Sequence, residues 1–326
     1  MTSLEARRDL EARLAQITTD HGRWTYDIPL SHGVWTRGNR GVPHLRLKRM
    51  VQATNDLVVK PISQCRVLDL GCLEGLFSIE FALQGASTLG IDVRASNIAK
   101  AEFAQDALGV PNVEFVRDDA RNVNAGSYGH FDVIICSGLL YHLLGADAQR
   151  LVHNLFEMLG HLLILDTAIS SSSRATFTTG GQAYHGSVWR EHRRGTSELE
   201  RERRKLASFD NDESFEFTRP SLVNLLHDAG FSSVSECFTP AYADDESLRR
   251  RCTFMAVKGT QVTLTTSPAA NTATTRWSEG TLSYRTRRFD FYRKRAKLRT
   301  RVRRGLGAIK RRAGSLRDRR RPSTRS

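Results

Sequence analysis

Short apolar runs alternate with helix-period stretches through the middle of the chain. VLDL, LFSIEFALQ, TLGIDV, NIAKAEFAQDAL, VEFV, FDVIICS, AQRLVHNLFEML and HLLILDTAI follow one another between Val67 and Ile169. Strand-like runs that alternate with amphipathic segments predict a parallel sheet covered by helices on both faces. Further on, SLVNLLHDAGFSSVSECF reads as helix, glycine turn and strand, and RRCTFMAVKG as one more strand after an exposed loop. The expected fold is therefore α/β, a doubly wound, mostly parallel sheet of about seven strands, Rossmann-like in type.

The flanks follow other rules. Leu4, Leu10, Leu14 and Ile17 recur at near-helical spacing, which predicts a short helix over 3–17. HGRWTYDIPLSHGVWTRGNRG mixes aromatic residues, His and Gly without a period and reads as a covering loop, and a second helix is expected over 43–58. Residues 1–60 are thus a helical cover and 61–258 the main domain. Between 170 and 212 the rhythm lapses into SSSSRATFTTGGQAYHGSVWREH and the charged ELERERRKL, an expected insertion after the fifth strand at the carboxyl edge of the sheet. Residues 259–275 are polar and Thr/Ala-rich, as a linker is.

Composition narrows the class. Hydrophobic residues make up 40% of the 326, and no apolar run approaches the ~18 residues needed to cross a bilayer. The opening MTSLEARRDLEARLAQ lacks the apolar segment of a secretory signal, so a cytoplasmic location is expected. Cys65, Cys72, Cys136, Cys237 and Cys252 form neither a C-x-x-C pair nor a zinc spacing, and no metal is expected. The net charge of +14 sits in the tail: residues 276–326 hold 20 Lys/Arg against 3 Asp/Glu, leaving 29 against 32 in residues 1–275. Leu298, Val302, Leu306, Ile309, Ala313 and Leu316 recur there every three or four positions, the pattern of a basic amphipathic helix suited to an anionic membrane surface or RNA, although three glycines weaken it and a solvated, disordered tail is the competing expectation.

Candidate chemistry lies at the strand ends. In VLDLGCLEGLFS a strand ends at Leu70 and a helix opens near Gly75; glycines at 71 and 75 let a ligand approach the backbone, and Asp69 is placed to orient the turn and reach a ligand's ammonium group. Asp92 ends the second strand 21 positions after Gly71, the distance at which an acid accepts ribose hydroxyls in dinucleotide folds. Asp119 follows the third strand, preferred by register over Asp118. Cys72, Val93, Ala120 and Ser137 complete the expected cofactor wall.

VLDLGCLEG, GIDVR, VRDDARN and FDVIICSGLLYHL resemble the successive motifs of class I S-adenosylmethionine (AdoMet)-dependent methyltransferases over roughly residues 65–258. Within that superfamily SGLLYHL and the upstream aromatic stretch most resemble the branch of the tRNA uridine carboxymethyltransferases and related small-molecule methyltransferases. The resemblance implies AdoMet as cofactor, Asp92 on its ribose, Asp119 on its adenine, and a transfer site lined by the segment after the fourth strand. His142 is the first candidate for a base toward a hydroxyl acceptor, because imidazole titrates near neutral pH, with Tyr141 beside it. A second cluster, Tyr184, His185 and Trp189, is a candidate lid carrying substrate contacts; His32 and Trp35 are weaker candidates.

These residues fit O-methylation of a small-molecule, glycan or lipid-linked hydroxyl, with RNA modification as the rival that the basic tail favours. A non-catalytic AdoMet-binding scaffold is a third reading, since most of the motifs concern the cofactor. A nicotinamide-dependent dehydrogenase is disfavoured because Gly-Cys-Leu-Glu-Gly lacks the G-x-G-x-x-G pattern. The three close cysteines of a radical AdoMet enzyme are absent from the sequence.

Overall fold

The structure is a computed structural model that describes residues 2–38, 45–237, 251–259 and Arg276. The expected linker and basic tail fall, Arg276 apart, outside the described residues. None of the described helices is long and apolar enough to cross a membrane.

The main sheet has seven strands. β1 (Arg66–Leu70) and β4 (Phe131–Ser137) occupy its centre, β2 (Ser87–Asp92) and β3 (Val113–Arg117) extend it on the β1 side, and β5 (Leu159–Ala168), β10 (Arg251–Val257) and β9 (Ser233–Glu236) on the other. Strands β1 to β5 run parallel, whereas β10 is antiparallel to both β5 and β9. Chain order reverses between β1 and β4, and in such sheets the crevice at the carboxyl end of that switch point is where ligands bind.

Continuous apolar runs form these strands because both faces are covered: Val67, Leu68, Leu70, Val133, Ile134 and Ile135 are all fully buried. One face packs on α6 (Gly145–Met158) and α8 (Arg219–Ala229), the other on α3 (Leu76–Leu83) and α4 (Ala95–Leu108). In α6, Ala148, Leu151, Val152, Leu155 and Met158 recur at three- and four-residue spacing and all are buried. Each of the larger ones stabilises the fold by roughly 1.5–3 kcal/mol relative to exposure. Thr218 caps the start of α8, and Gly230 ends it at φ +112, where a Cβ would lie 2.6 Å from the Phe156 ring.

The N-terminal expectation of a helix is met by α1 (Ser3–His21), opened by a Thr2–Glu5 capping box and packed on α4. The second helix, α2, spans Leu45–Leu57. Between them Ser31–Gly33 form a 3₁₀ turn in which His32 takes φ 54, and Trp35 bridges back to Pro29.

The insertion is more ordered than its lack of period predicts. β6 (Ala175–Thr179), β7 (Gln182–Arg190) and β8 (Glu213–Phe217) make a separate antiparallel sheet, and α7 (Glu198–Arg203) lies between β7 and β8. Gly180 and Gly181 both take positive φ, as a two-residue hairpin turn requires. Phe177, Tyr184, Phe215 and Phe217 interlock as aromatic pairs, and Phe177 packs so close to Gly145 that a Cβ there would lie 2.8 Å from its ring.

Candidate active site

The turn after β1 is built around Asp92. Gly71 and Cys72 donate their N–H groups to the carbonyl of Ile91 at 2.8 and 3.1 Å. Leu73, held at φ 50, donates its N–H to Asp92 Oδ2 at 3.0 Å. The other oxygen, Oδ1, accepts from Arg94 N at 2.9 Å and Asn97 Nδ2 at 3.1 Å. One carboxylate therefore fixes the loops that follow both β1 and β2. Burial pushes the Asp92 pKa up, opposed by these hydrogen bonds and by the Arg94 charge. Gly71 sits at φ +68, where a Cβ would meet Leu139 at 3.4 Å.

Beside this turn lies a cavity of about 120 Å³, smaller than the ~300–1,000 Å³ usual for small-molecule sites. Of the residues singled out in the sequence, Gly71, Asp92, Val93, Asp119, Ala120, Ser137, Tyr141 and His142 line it together. Ser137 Oγ is buried without a hydrogen-bond partner among the described residues, a polar atom available to a ligand. Asp118 and Asp119 both line the cavity, but differently engaged: Asp118 accepts from Tyr128 Oη and Asn122 Nδ2, whereas Asp119 is clasped by the Arg121 guanidinium, which also reaches Asp210.

Asp69, Cys72, Gly75 and His185 stand outside the lining, as do the weaker candidates His32, Trp35, Tyr184 and Trp189. Asp69 is 1% exposed and accepts from the N–H and hydroxyl of Ser78, pinning the first turn of α3; burial raises its pKa to about 7. Its Oδ1 has no hydrogen-bond partner among the described residues. Gly75 faces the protein interior, where a Cβ would lie 2.6 Å from the Phe115 ring and 3.1 Å from Ala101, so close packing of α3 rather than ligand approach requires it. Cys72 is buried, and burial pushes its thiol pKa well up. His185 does not join Tyr141 and His142: it belongs to β7, with Nδ1 at 3.1 Å from Thr176 Oγ1 of β6, because the hairpin register points it away from the cavity. Its neighbour Tyr184 is buried in the aromatic cluster and donates its hydroxyl to Asp228 at 2.7 Å.

Other residues complete the cavity. A 3₁₀ turn at Leu140–His142 follows β4 and stacks the Tyr141 and His142 rings at 4.2 Å. His142 Nδ1 lies 2.8 Å from Glu191 Oε1. Glu191 is nearly inaccessible and also accepts from Ser208 N at 3.0 Å and Ser214 Oγ at 2.8 Å. Burial works to raise its pKa, but the His142 interaction and the bonds from Ser208 and Ser214 hold it below the usual carboxylate value. A carboxylate that accepts at Nδ1 fixes the neutral tautomer with its lone pair on Nε2.

The insertion and the N-terminal segment supply the remaining walls. Residues 205–210 line the cavity, held by Arg94, which donates Nη2 to the carbonyl of Ala207 at 2.9 Å. Lys205 donates to the carbonyl of His21 at 3.1 Å, joining insertion to cover. Tyr26 lines the cavity from the cover, anchored where Thr25 N donates to Glu74 Oε1 at 2.9 Å; Glu74 also forms a fully buried ion pair with Lys100 at 2.6 Å. Glu191, Tyr26 and Arg251 escaped the sequence reading. For Glu191 the available signal was an acid directly after a β-branched and aromatic run in VWREH.

The sequence matches the methyltransferase domain family over residues 42–236. That is more than half the chain, and the chain belongs to this family. Among curated proteins it is similar to the ubiquinone biosynthesis O-methyltransferase of Erwinia tasmaniensis, 31% identical over 109 residues, 33% of this chain and 42% of that protein. It is also similar to the enzyme of the same name from Rickettsia felis, 28% identical over 152 residues, 45% of this chain and 59% of that one. The chain thus spans about half the length of these curated relatives. The N-terminal domain of EvdMO1, solved in the presence of S-adenosylhomocysteine (SAH) and D-fucose, superposes with a TM-score of 0.57 at 24% identity, covering 77% of this chain and 95% of that one. At that identity the likeness establishes the Rossmann-like methyltransferase fold.

Proposed function

We propose that the chain is an AdoMet-dependent O-methyltransferase, with His142 as the base that takes the acceptor's hydroxyl proton. The observation that carries this reading is the shared cavity, which is lined both by the turn held by Asp92 and by His142, whose Nδ1 is paired with Glu191. The residues present fit the cofactor. Gly71 lines the cavity, Asp92 has lone-pair capacity beyond its three protein donors, and Ser137 Oγ lacks a partner among the described residues. SAH in the EvdMO1 domain and the names of the curated O-methyltransferases support the same assignment.

When bound, AdoMet supplies an electrophilic methyl group on a sulfonium. The chain's own task is to align the acceptor oxygen, exclude water and remove one proton. Tyr26, Leu139 and Leu143 form apolar walls, with the insertion closing the cavity beyond them. As the acceptor O–CH₃ bond forms and the S–CH₃ bond breaks, the acceptor proton passes to His142 Nε2, and Glu191 stabilises the imidazolium. SAH and the methyl ether are the products, and the proton leaves to solvent.

The acceptor we propose is a hydroxylated small molecule or glycan. RNA, and the carboxymethyltransferase-like branch with it, is the second reading, favoured by the tail's 20 Lys/Arg against 3 Asp/Glu. The test is a methyl-transfer screen with labelled AdoMet over hydroxylated metabolites, sugars and bulk tRNA, run with the full chain and with residues 1–275. Transfer to a small molecule, retained after truncation, supports the first reading; transfer to tRNA alone, lost on truncation, replaces it.

A further inference from the structure

We infer that one end of this cavity is a carboxylate-recognition subsite centred on Arg251, and that the acceptor is a planar hydroxy acid. The inference rests on the O-methyltransferase reading and adds the substrate class to it.

Arg251 is the first residue of β10, paired in register with Ala168 of β5, and its side chain lines the cavity with Ser137, Gly138 and Tyr141. Three neighbours fix the guanidinium. Nη2 is ion-paired with Asp166 Oδ1. The Tyr141 ring centroid lies 5.5 Å from Cζ. Gly138, at φ +85, presents bare backbone to it, and a Cβ there would lie 3.0 Å from Nη2. A cation fixed before the ligand arrives loses little freedom on binding.

Asp166 does not neutralise the positive charge gathered around it. It is 2% exposed and accepts from Thr253 Oγ1 at 2.8 Å, while Arg46 Nε stands 3.5 Å away. Arg49 donates to the same Thr253 hydroxyl at 3.2 Å. Two guanidinium groups therefore pair with one carboxylate, and a third reaches the hydroxyl that donates to it. Among the described residues the neighbouring acids are engaged elsewhere: Glu191 with His142, Ser208 and Ser214, Asp69 with Ser78, and Glu236 with Arg219. Arg251 Nε is buried and has no hydrogen-bond partner among the described residues.

Positive charge largely withdrawn from water, with a donor left unanswered, favours an anion that can meet it. A carboxylate matches the guanidinium fork with two parallel hydrogen bonds, which a point charge does not exploit. Tyr26, Tyr141, Leu139 and Leu143 border the same space with flat and apolar groups, which favours a planar body for the acid. His142 lines that cavity too, so the acid group and the reacting hydroxyl belong to one small acceptor.

The test is calorimetric titration of the full chain, with and without saturating SAH, using 3,4-dihydroxybenzoate and catechol, which differ by the carboxylate. We expect the acid to bind at least about tenfold more tightly, the size of one charge-assisted hydrogen bond. Arg251→Met should abolish that preference, and Arg46→Gln should reduce it by a smaller factor. Should Arg251→Met not fold, Arg251→Lys keeps the charge without the fork and should keep only part of the preference. Equal binding of the two probes by the wild-type chain overturns the subsite, as does a full preference in Arg251→Met or Arg251→Lys. The SAH titration reports separately on the functional reading: a chain that fails to bind SAH yet prefers the acid keeps the subsite and loses the cofactor assignment.

Discussion

The two halves of the cavity are made in different ways. The half at the ends of β1, β2 and β3 comes from loops that follow consecutive strands, with Gly71, Asp92 and Asp119 each within a few residues of a strand end. The opposite half gathers Tyr26 from the cover, His142 from the turn after β4 and Arg251 from the start of β10, with Glu191 from beyond β7 paired to His142. A strand-end half depends on local geometry that any sheet of this topology repeats. An assembled half depends on tertiary packing and is free to vary with the substrate.

Variants should separate the halves. The largest effect is expected for His142→Ala, with kcat down by about 10²–10⁴ and SAH affinity unchanged, because general-base catalysis is worth about that much. Steady-state transfer rates and SAH calorimetry on one preparation check it; an unchanged kcat moves the base elsewhere. Glu191→Gln should follow, lowering kcat by roughly 10–150-fold, the equivalent of about 1.5–3 kcal/mol for a charge-assisted hydrogen bond. Its pH–rate profile should shift as well, since the neutral amide no longer stabilises a protonated His142. A rate loss without a change in profile would make Glu191 a packing residue only.

Asp92→Ala tests the other half. SAH binding should weaken by about 1–3 kcal/mol, with the acid-over-catechol preference intact. The same change strips the acceptor from Leu73 N, Arg94 N and Asn97, so Tm should also fall. Loss of stability with SAH affinity preserved would reduce Asp92 to a loop tie.

Asp69, which the sequence placed at the ligand and the structure places under α3, bears on stability and not on turnover. Its pKa is raised from 3.8 to about 7, so across that window the unfolded chain has lost a proton that the folded chain keeps. Stability then falls as pH rises through the window, by at most about 1.4 kcal/mol per pH unit. Asp69→Asn should flatten that slope in urea-unfolding midpoints measured against pH, and an unaltered slope would show that Asp69 ionises normally.

The same contrast explains what the sequence reveals. β1 to β5 and their helices are legible because the apolar runs and helical periods are local, and Asp92 is legible because it must follow such a run. The role of Gly75 is not: from sequence it belongs to the ligand turn, and only the Phe115 ring against it shows that packing demands it. The insertion's hairpin carries a readable signal in TFTTGGQAYHGSV, where Gly180 and Gly181 separate two β-prone runs, but its charged neighbours obscure the period. Glu191 lies 49 residues from His142, and no spacing in the sequence links them.

The central claim is that the cavity beside Asp92 is a cofactor site facing a separately assembled acceptor site. Calorimetric titration of the purified chain with SAH, alongside Asp92→Ala and His142→Ala, tests it most directly. Micromolar binding is expected for the wild-type chain, weaker binding for Asp92→Ala and wild-type binding for His142→Ala. A folded wild-type chain that binds neither SAH nor AdoMet would contradict it.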